Sequence, residues 1–145
     1  MNNIKFIDTN ILIYALDVSS SFHDKARAFL VSALSNGGIY LTVQNLMELY
    51  AIVTNPKRVT SPLNQHEAVN ILRYYINSKQ VHIITPQQKT AQTIVNLLLK
   101  YKIKSSEIHD VHLAAILIDN HIRIIYTADT SVFKRLDLLT VNPFE

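Results

Sequence analysis

The sequence predicts an α/β fold: a parallel sheet of short strands with helices packed on both faces. Three observations predict it. Short apolar runs alternate with helix-period apolar stripes along the whole chain, the pattern of a parallel sheet joined by crossover helices. The chain has 145 residues, 48% of them hydrophobic and 17% charged, enough to bury a substantial core without staples. No internal repeat, low-complexity tract or linker divides it, so residues 1–145 are expected to form a single domain.

The elements follow in order. Residues 5–7 read as a short strand ending at Asp8, and residues 10–16 as one or two helical turns. Ala26, Phe29, Leu30, Ala33 and Leu34 form a helical stripe within residues 23–36, which Gly37 and Gly38 terminate. A second strand covers residues 39–42. A helix over 43–54 carries Leu46, Leu49, Tyr50 and Val53 at i, i+3, i+4 and i+7, and Asn55-Pro56 ends it. The segment NPKRVTSPLN is a loop, followed by a helix over 65–77, a strand over 81–85 and a helix over 87–101. A helix over 108–120 takes Ser106 as its expected N-cap. Strands over 122–127 and 138–141 complete the chain.

Composition removes several function classes. With no cysteine there is neither a disulfide framework nor a thiolate zinc site. The two glycines are adjacent, which excludes Gly-rich phosphate loops of the P-loop or dinucleotide type. The absence of a long apolar run argues against a membrane span, and Asp8 would interrupt a signal peptide, so a cytoplasmic protein is expected. A net charge of +3 and a pI near 9.2 are compatible with a polyanionic partner.

Ligands of open α/β sheets sit at the carboxyl ends of the strands. Asp8 follows the first strand, Asp129 follows the strand ending at Thr127, Glu48 lies in the helix after the second strand, and Asp110 lies near the start of the helix over 108–120. Asp110 shares a helix face with Leu113, Ala114 and Leu117, so it points inward from the top of an apolar stripe. Each acid has an ordinary structural explanation: a cap at Asp8, a solvated helix edge at Glu48, a dipole partner at Asp110, a turn at Asp129. Four such coincidences at one end of one sheet favour a common role. Four carboxylates without cysteine or a histidine cluster make a hard oxygen site, suited to Mg²⁺ or Mn²⁺ rather than zinc.

At these residues the sequence resembles the PIN-domain proteins, specifically the VapC-type toxins of bacterial toxin–antitoxin pairs. FIDTNILIYAL, with Asp8, Thr9 and Asn10, resembles the first motif of that family, and TVQNLMELYAIVTNP, with Glu48, the second. IHDVHLAAIL, with Asp110, and IIYTADTSVF, with Thr127 and Asp129, resemble the third and fourth. The resemblance implies a three-layer α/β/α fold on a central parallel sheet of four or five strands. It implies an endoribonuclease whose Mg²⁺ or Mn²⁺ is held by Asp8, Glu48, Asp110 and Asp129, hydrolysing RNA phosphodiesters with a metal-activated water. It also implies a homodimer and a small cognate antitoxin. One departure stands out: family members often carry a further acid shortly after the fourth motif's aspartate, where Thr130, Ser131 and Val132 stand here.

Thr9 and Thr127 are placed to hydrogen-bond the acids, and Asn10 either orients Asp8 or caps the following helix. His109 and His112 flank Asp110, but no third residue has zinc-ligand spacing with them. Of the basic residues, Lys100, Lys102 and Lys104 precede the Asp110 helix and are the first choice for RNA phosphate contacts, with Lys57–Arg58 and Lys134–Arg135 elsewhere. Two competing readings are a phosphomonoesterase of haloacid-dehalogenase type and a catalytically inactive PIN domain that binds RNA or a partner. The first also opens on an aspartate after a strand, but it wants a second aspartate where Asn10 stands.

Overall fold

The structure is a computed structural model that describes residues 3–145. Five parallel strands form one sheet: β1 (Lys5–Ile7), β2 (Ile39–Thr42), β3 (Val81–Ile84), β4 (Ile124–Tyr126) and β5 (Leu139–Val141), in the order β3-β2-β1-β4-β5. The helices are α1 (Thr9–Leu16), α2 (His23–Ser35), α3 (Val43–Val53), α4 (Gln65–Asn77), α5 (Thr90–Lys100) and α6 (Ile108–Asp119).

Side chains of a strand alternate between faces, and this sheet buries both. Ile7, Ile39 and Leu41 pack with α1 to α4, whereas Phe6 and Ile125 pack with α5 and α6. The result is the expected three-layer architecture. On the α6 side, Val111, Leu113, Ala114, Ala115, Ile116 and Leu117 are all buried. Such a helix is apolar nearly all round because it lies against the sheet and α5 together. The buried Asp119 carboxylate ties α6 to the first turn of α5 by accepting from Thr90 Oγ1 at 2.7 Å and Thr93 Oγ1 at 2.8 Å.

Most boundaries fall within one residue of the sequence reading, and three departures have a hydrogen-bonding reason. β4 begins at Ile124 rather than residue 122 because Asn120, His121 and Ile122 spend their N–H groups on α6 carbonyls, with His121 left-handed at φ 60°. α5 begins at Thr90 because residues 87–90 close a turn in which Gln87 N donates to Thr90 Oγ1 and Thr90 N to Gln87 O. Ser106 is not an N-cap: it lies inside a 3₁₀ turn, Ser105–Glu107, and α6 starts without a side-chain cap. The Glu107 carboxylate turns back instead to accept from Lys104 N at 2.9 Å.

Gly38, at φ 103°, makes the close approach between α2 and the sheet. A Cβ there would lie 2.4 Å from Gln80 O, the acceptor of the Ile39 N–H.

Candidate active site

The chain leaves β1 outward to β2 and β3 on one side, then returns to β4 and β5 on the other. The carboxyl end of β1 is therefore a topological switch point, where a crevice opens. Asp8 sits there. Its main chain continues the sheet by donating to Tyr126 O at 2.9 Å, and its Oδ1 accepts from Thr9 N at 2.7 Å as the N-cap of α1. The cap and the crevice are thus one position; Asn10 is not the cap. Asp8 Oδ2 accepts from Thr127 Oγ1 at 2.8 Å, just past β4.

The second carboxylate comes from α3. Thr42 caps that helix with Asn45 in a reciprocal box, which fixes the helix start directly at the end of β2. One turn on, Glu48 Oε2 accepts from Thr9 Oγ1 at 3.0 Å and Oε1 from Gln44 Nε2 at 3.0 Å. Asp110 enters half-buried from the first turn of α6. Asp129, more exposed, follows β4, and its Oδ1 accepts from Ser131 N at 3.1 Å and Ser131 Oγ at 2.7 Å. All four acids line a single cleft of about 410 Å³, with Tyr14 and Arg58 on its wall.

The electrostatics are those of crowded like charges. Burial pushes the Asp8 carboxyl up to about 6, against the hydrogen bonds from Thr127 and Thr9, with Glu48 and Asp110 adding to the rise. Asp110 is also raised, first by burial and then by Glu48, Glu107 and Asp129. Asp129 is lowered by its two bonds from Ser131. Among the described residues, the ion pairs are Lys100–Asp137 and Arg135–Glu107, so none of the four acids is paired with a cationic side chain.

An all-oxygen donor set with repelling charges fits a hard divalent cation. Among the described residues, no three His, Asp or Glu side chains stand close enough to enclose one ion. The cleft therefore fits an ion that takes one or two carboxylates directly and keeps water on its other positions, the habit of Mg²⁺.

A PIN-domain family model matches residues 5–139, a span that holds all four acids and all five strands up to Leu139. The chain belongs to the PIN-domain family. Curated relatives include ribonuclease VapC24 of Mycobacterium tuberculosis, 38% identical over 74 residues; that match spans about half of each protein, 51% of this chain and 51% of the relative. Ribonuclease VapC37 of the same organism is 22% identical over 133 residues, 90% of this chain and 92% of the relative. Among solved structures, a toxin–antitoxin complex from Klebsiella pneumoniae has a chain that superposes with TM-score 0.64 at 20% identity, covering 97% of this chain and 98% of that one. The PIN assignment removes the haloacid-dehalogenase alternative.

Within the PIN domain, Asp8, Glu48, Asp110 and Asp129 meet at the cleft together with Thr9 and Asn10, and Thr127 lies behind them. The lysine patch is placed differently. Lys100 is held by Asp137, and Lys102, whose carbonyl accepts from Arg135, and Lys104 lie outside the cleft lining. The cation on the cleft wall is Arg58. His109 is exposed, and its carbonyl faces Gln44. Sequence reasoning did not single out Asn45, Gln44 or Ser131. An asparagine three residues before an acidic residue on the same helix was the available signal for Asn45.

No helix among the described residues is long and apolar enough to cross a membrane.

Proposed function

We propose that this PIN domain, acting as a single domain, is a metal-dependent endoribonuclease and the toxin of a type II toxin–antitoxin pair. The observation that carries the reading is the convergence of Asp8, Glu48, Asp110 and Asp129 on one cleft from four separate motifs. Relatives named ribonucleases support the activity, and the Klebsiella complex supports a small antitoxin as partner. A homodimer rests on the resemblance alone.

Asp8, Glu48, Asp110 and Asp129 would hold Mg²⁺ or Mn²⁺, one or two of them directly and the others through its bound water. When bound, such a cation activates water and neutralises charge building on the phosphate. The protein's own groups do the rest. Thr9 and Gln44 donate to Glu48, Thr127 to Asp8 and Ser131 to Asp129, and these bonds keep the three carboxylates aimed at the cleft. Arg58, on the same cleft lining as the acids, offers a donor for a phosphate oxygen. Tyr14 offers an aromatic surface for a nucleobase, which suits an unpaired RNA segment better than a duplex.

The test is to induce the wild type and Asp8→Asn in cells and map new 5′-monophosphate ends across all RNA. Sharp ends confined to the wild type are expected and would name the substrate. Identical end maps would overturn the nuclease reading.

A further inference from the structure

Two of the three hydroxyls that touch the acids, those of Thr9 and Thr127, are themselves touched by an asparagine amide, in the same sense. Asn45 Nδ2 donates to Thr9 Oγ1 at 2.9 Å, and Thr9 Oγ1 donates to Glu48 Oε2 at 3.0 Å. Asn10 Nδ2 donates to Thr127 Oγ1 at 3.1 Å, and Thr127 Oγ1 donates to Asp8 Oδ2 at 2.8 Å.

The direction of each chain is forced by main-chain N–H groups, which can only donate. Thr42 N points at Asn45 Oδ1 at 2.8 Å, and Ala128 N points at Asn10 Oδ1 at 3.3 Å. Each amide therefore turns its oxygen to the backbone and its nitrogen to the threonine. The nitrogen has no lone pair to accept with, so each threonine accepts from the amide and has one proton left for the carboxylate. At Thr127 the second lone pair is also taken, by Asp129 N at 3.1 Å. The Asp129 carbonyl competes for that proton at 3.1 Å, but the charged acceptor at 2.8 Å is the stronger one.

We propose that Asn45 and Asn10 are positioning residues that lock the Thr9 and Thr127 hydroxyl protons onto Glu48 and Asp8, fixing both carboxylates before a divalent cation arrives. This rests on the cation reading given above. The other oxygens are held as well, Glu48 Oε1 by Gln44 and Asp8 Oδ1 by Thr9 N. The lock is distinct from helix capping. The α3 cap uses Asn45 Oδ1 and its main-chain N–H, not Nδ2. A glutamate at position 45 would serve a capping box equally well but has no proton to give Thr9. Asn45 and Thr127 are fully buried and Thr9 nearly so, which leaves water little access to the Asn45–Thr9 chain; Asn10, at the outer end of the other chain, is half-buried.

The test uses the whole chain, with Asn45→Ala, Thr9→Val and Thr9→Ser made alone and with Glu48→Gln. Thr9→Val keeps the side-chain shape if loss of the Asn45 cap impairs folding. The affinity for Mn²⁺ is read by the paramagnetic resonance of the free ion. The Thr9 hydroxyl proton is read by NMR on the metal-free protein. Asn45→Ala and Thr9→Val should each weaken Mn²⁺ about tenfold, Thr9→Ser should restore affinity to within about twofold, and the Asn45→Ala effect should fall below about twofold when Glu48 is Gln. The slowly exchanging Thr9 hydroxyl resonance should be lost in Asn45→Ala. Equal weakening with and without Glu48 would overturn the proposal, as would a Thr9 hydroxyl resonance indifferent to Asn45. A wild type that binds no Mn²⁺ would refute the cation reading instead, and the hydroxyl resonance would then decide the lock by itself.

Discussion

Asp8→Asn should make the metal-free protein more stable while abolishing RNA cleavage. The folded chain holds the Asp8 proton up to about pH 6, whereas an unperturbed aspartate releases it near 3.8. Because the folded state binds that proton more tightly, the Asp8 contribution is most favourable below about pH 4 and is lost as pH rises through about 6. The gap corresponds to about 3 kcal/mol at neutral pH and above. Asparagine removes the charge and caps helices as well as aspartate does. Its amide, however, would face Thr127 Oγ1, whose proton must then turn to Asp129 O at 3.1 Å. The charged Thr127 bond is already included in the Asp8 value; what asparagine loses relative to the protonated carboxyl is a neutral bond from Thr127, about 1 kcal/mol. The net expectation is a gain of about 2 kcal/mol near pH 8, a rise in Tm of about 6 °C for a chain of this size. Near pH 4.5 about two thirds of the charge penalty has already gone, so the gain should shrink to about zero. Urea and thermal melts in chelator at both pH values measure this. A variant no more stable than the wild type near pH 8, or a difference that does not change with pH, would refute the reasoning. Adding Mn²⁺ should reverse the ranking, because only the wild type would gain linkage energy, about 2.7 kcal/mol at a hundred times Kd.

Three further outcomes follow from the surface and the backbone. Arg58→Ala should raise KM for RNA with little change in kcat, and lower the salt slope of binding by about one; the triple change of Lys100, Lys102 and Lys104 to Ala should lower it by no more than about two, because Lys100 is already engaged by Asp137. Equal slopes for the Arg58 variant and the wild type would remove Arg58 from the RNA path. Gly38→Ala should cost about 3 kcal/mol or more in urea melts, since its Cβ would meet Gln80 O at 2.4 Å at a left-handed φ; a loss below about 1 kcal/mol would show that the α2–β2 turn relaxes freely.

The fold was legible because each helix and strand wrote its own period. Leu113, Ala114 and Leu117 announced the buried face of α6 and, with it, the inward aim of Asp110. Asp8 and Asp129 were legible for a similar reason, each standing where a strand hands over to a helix or turn, while Glu48 and Asp110 were legible from their places on α3 and α6. What stayed hidden depends on contacts distant in sequence. Asn45 looked like a helix-face residue, and its meaning lies in Thr9, 36 residues earlier. Arg58 sits in a loop with no periodicity to aim it, so the denser lysine run drew attention instead. The start of β4 was misplaced because the pattern of Ile122 and Ile124 carries no sign that the N–H of Ile122 is owed to Leu117. Asp8 posed a choice between cap and ligand that the structure does not make, since one carboxylate oxygen serves the helix while the other meets Thr127.

The sheet order has a consequence for the timing of activity during synthesis. The central strand, β1, is made before β2 and β3, and its neighbour on one side, β4, only after them. Thr127 and Asp129 come with that later neighbour, so a ribosome must pass β4 before Asp8 meets its hydroxyl partner and the cleft gains its fourth acid. A nascent chain that ends before β4 carries Asp8 and Glu48 but lacks Thr127 and Asp129, so its cleft is incomplete. On the nuclease reading proposed for the cleft, the order of strands works as a delay that holds back cleavage until the chain has passed β4.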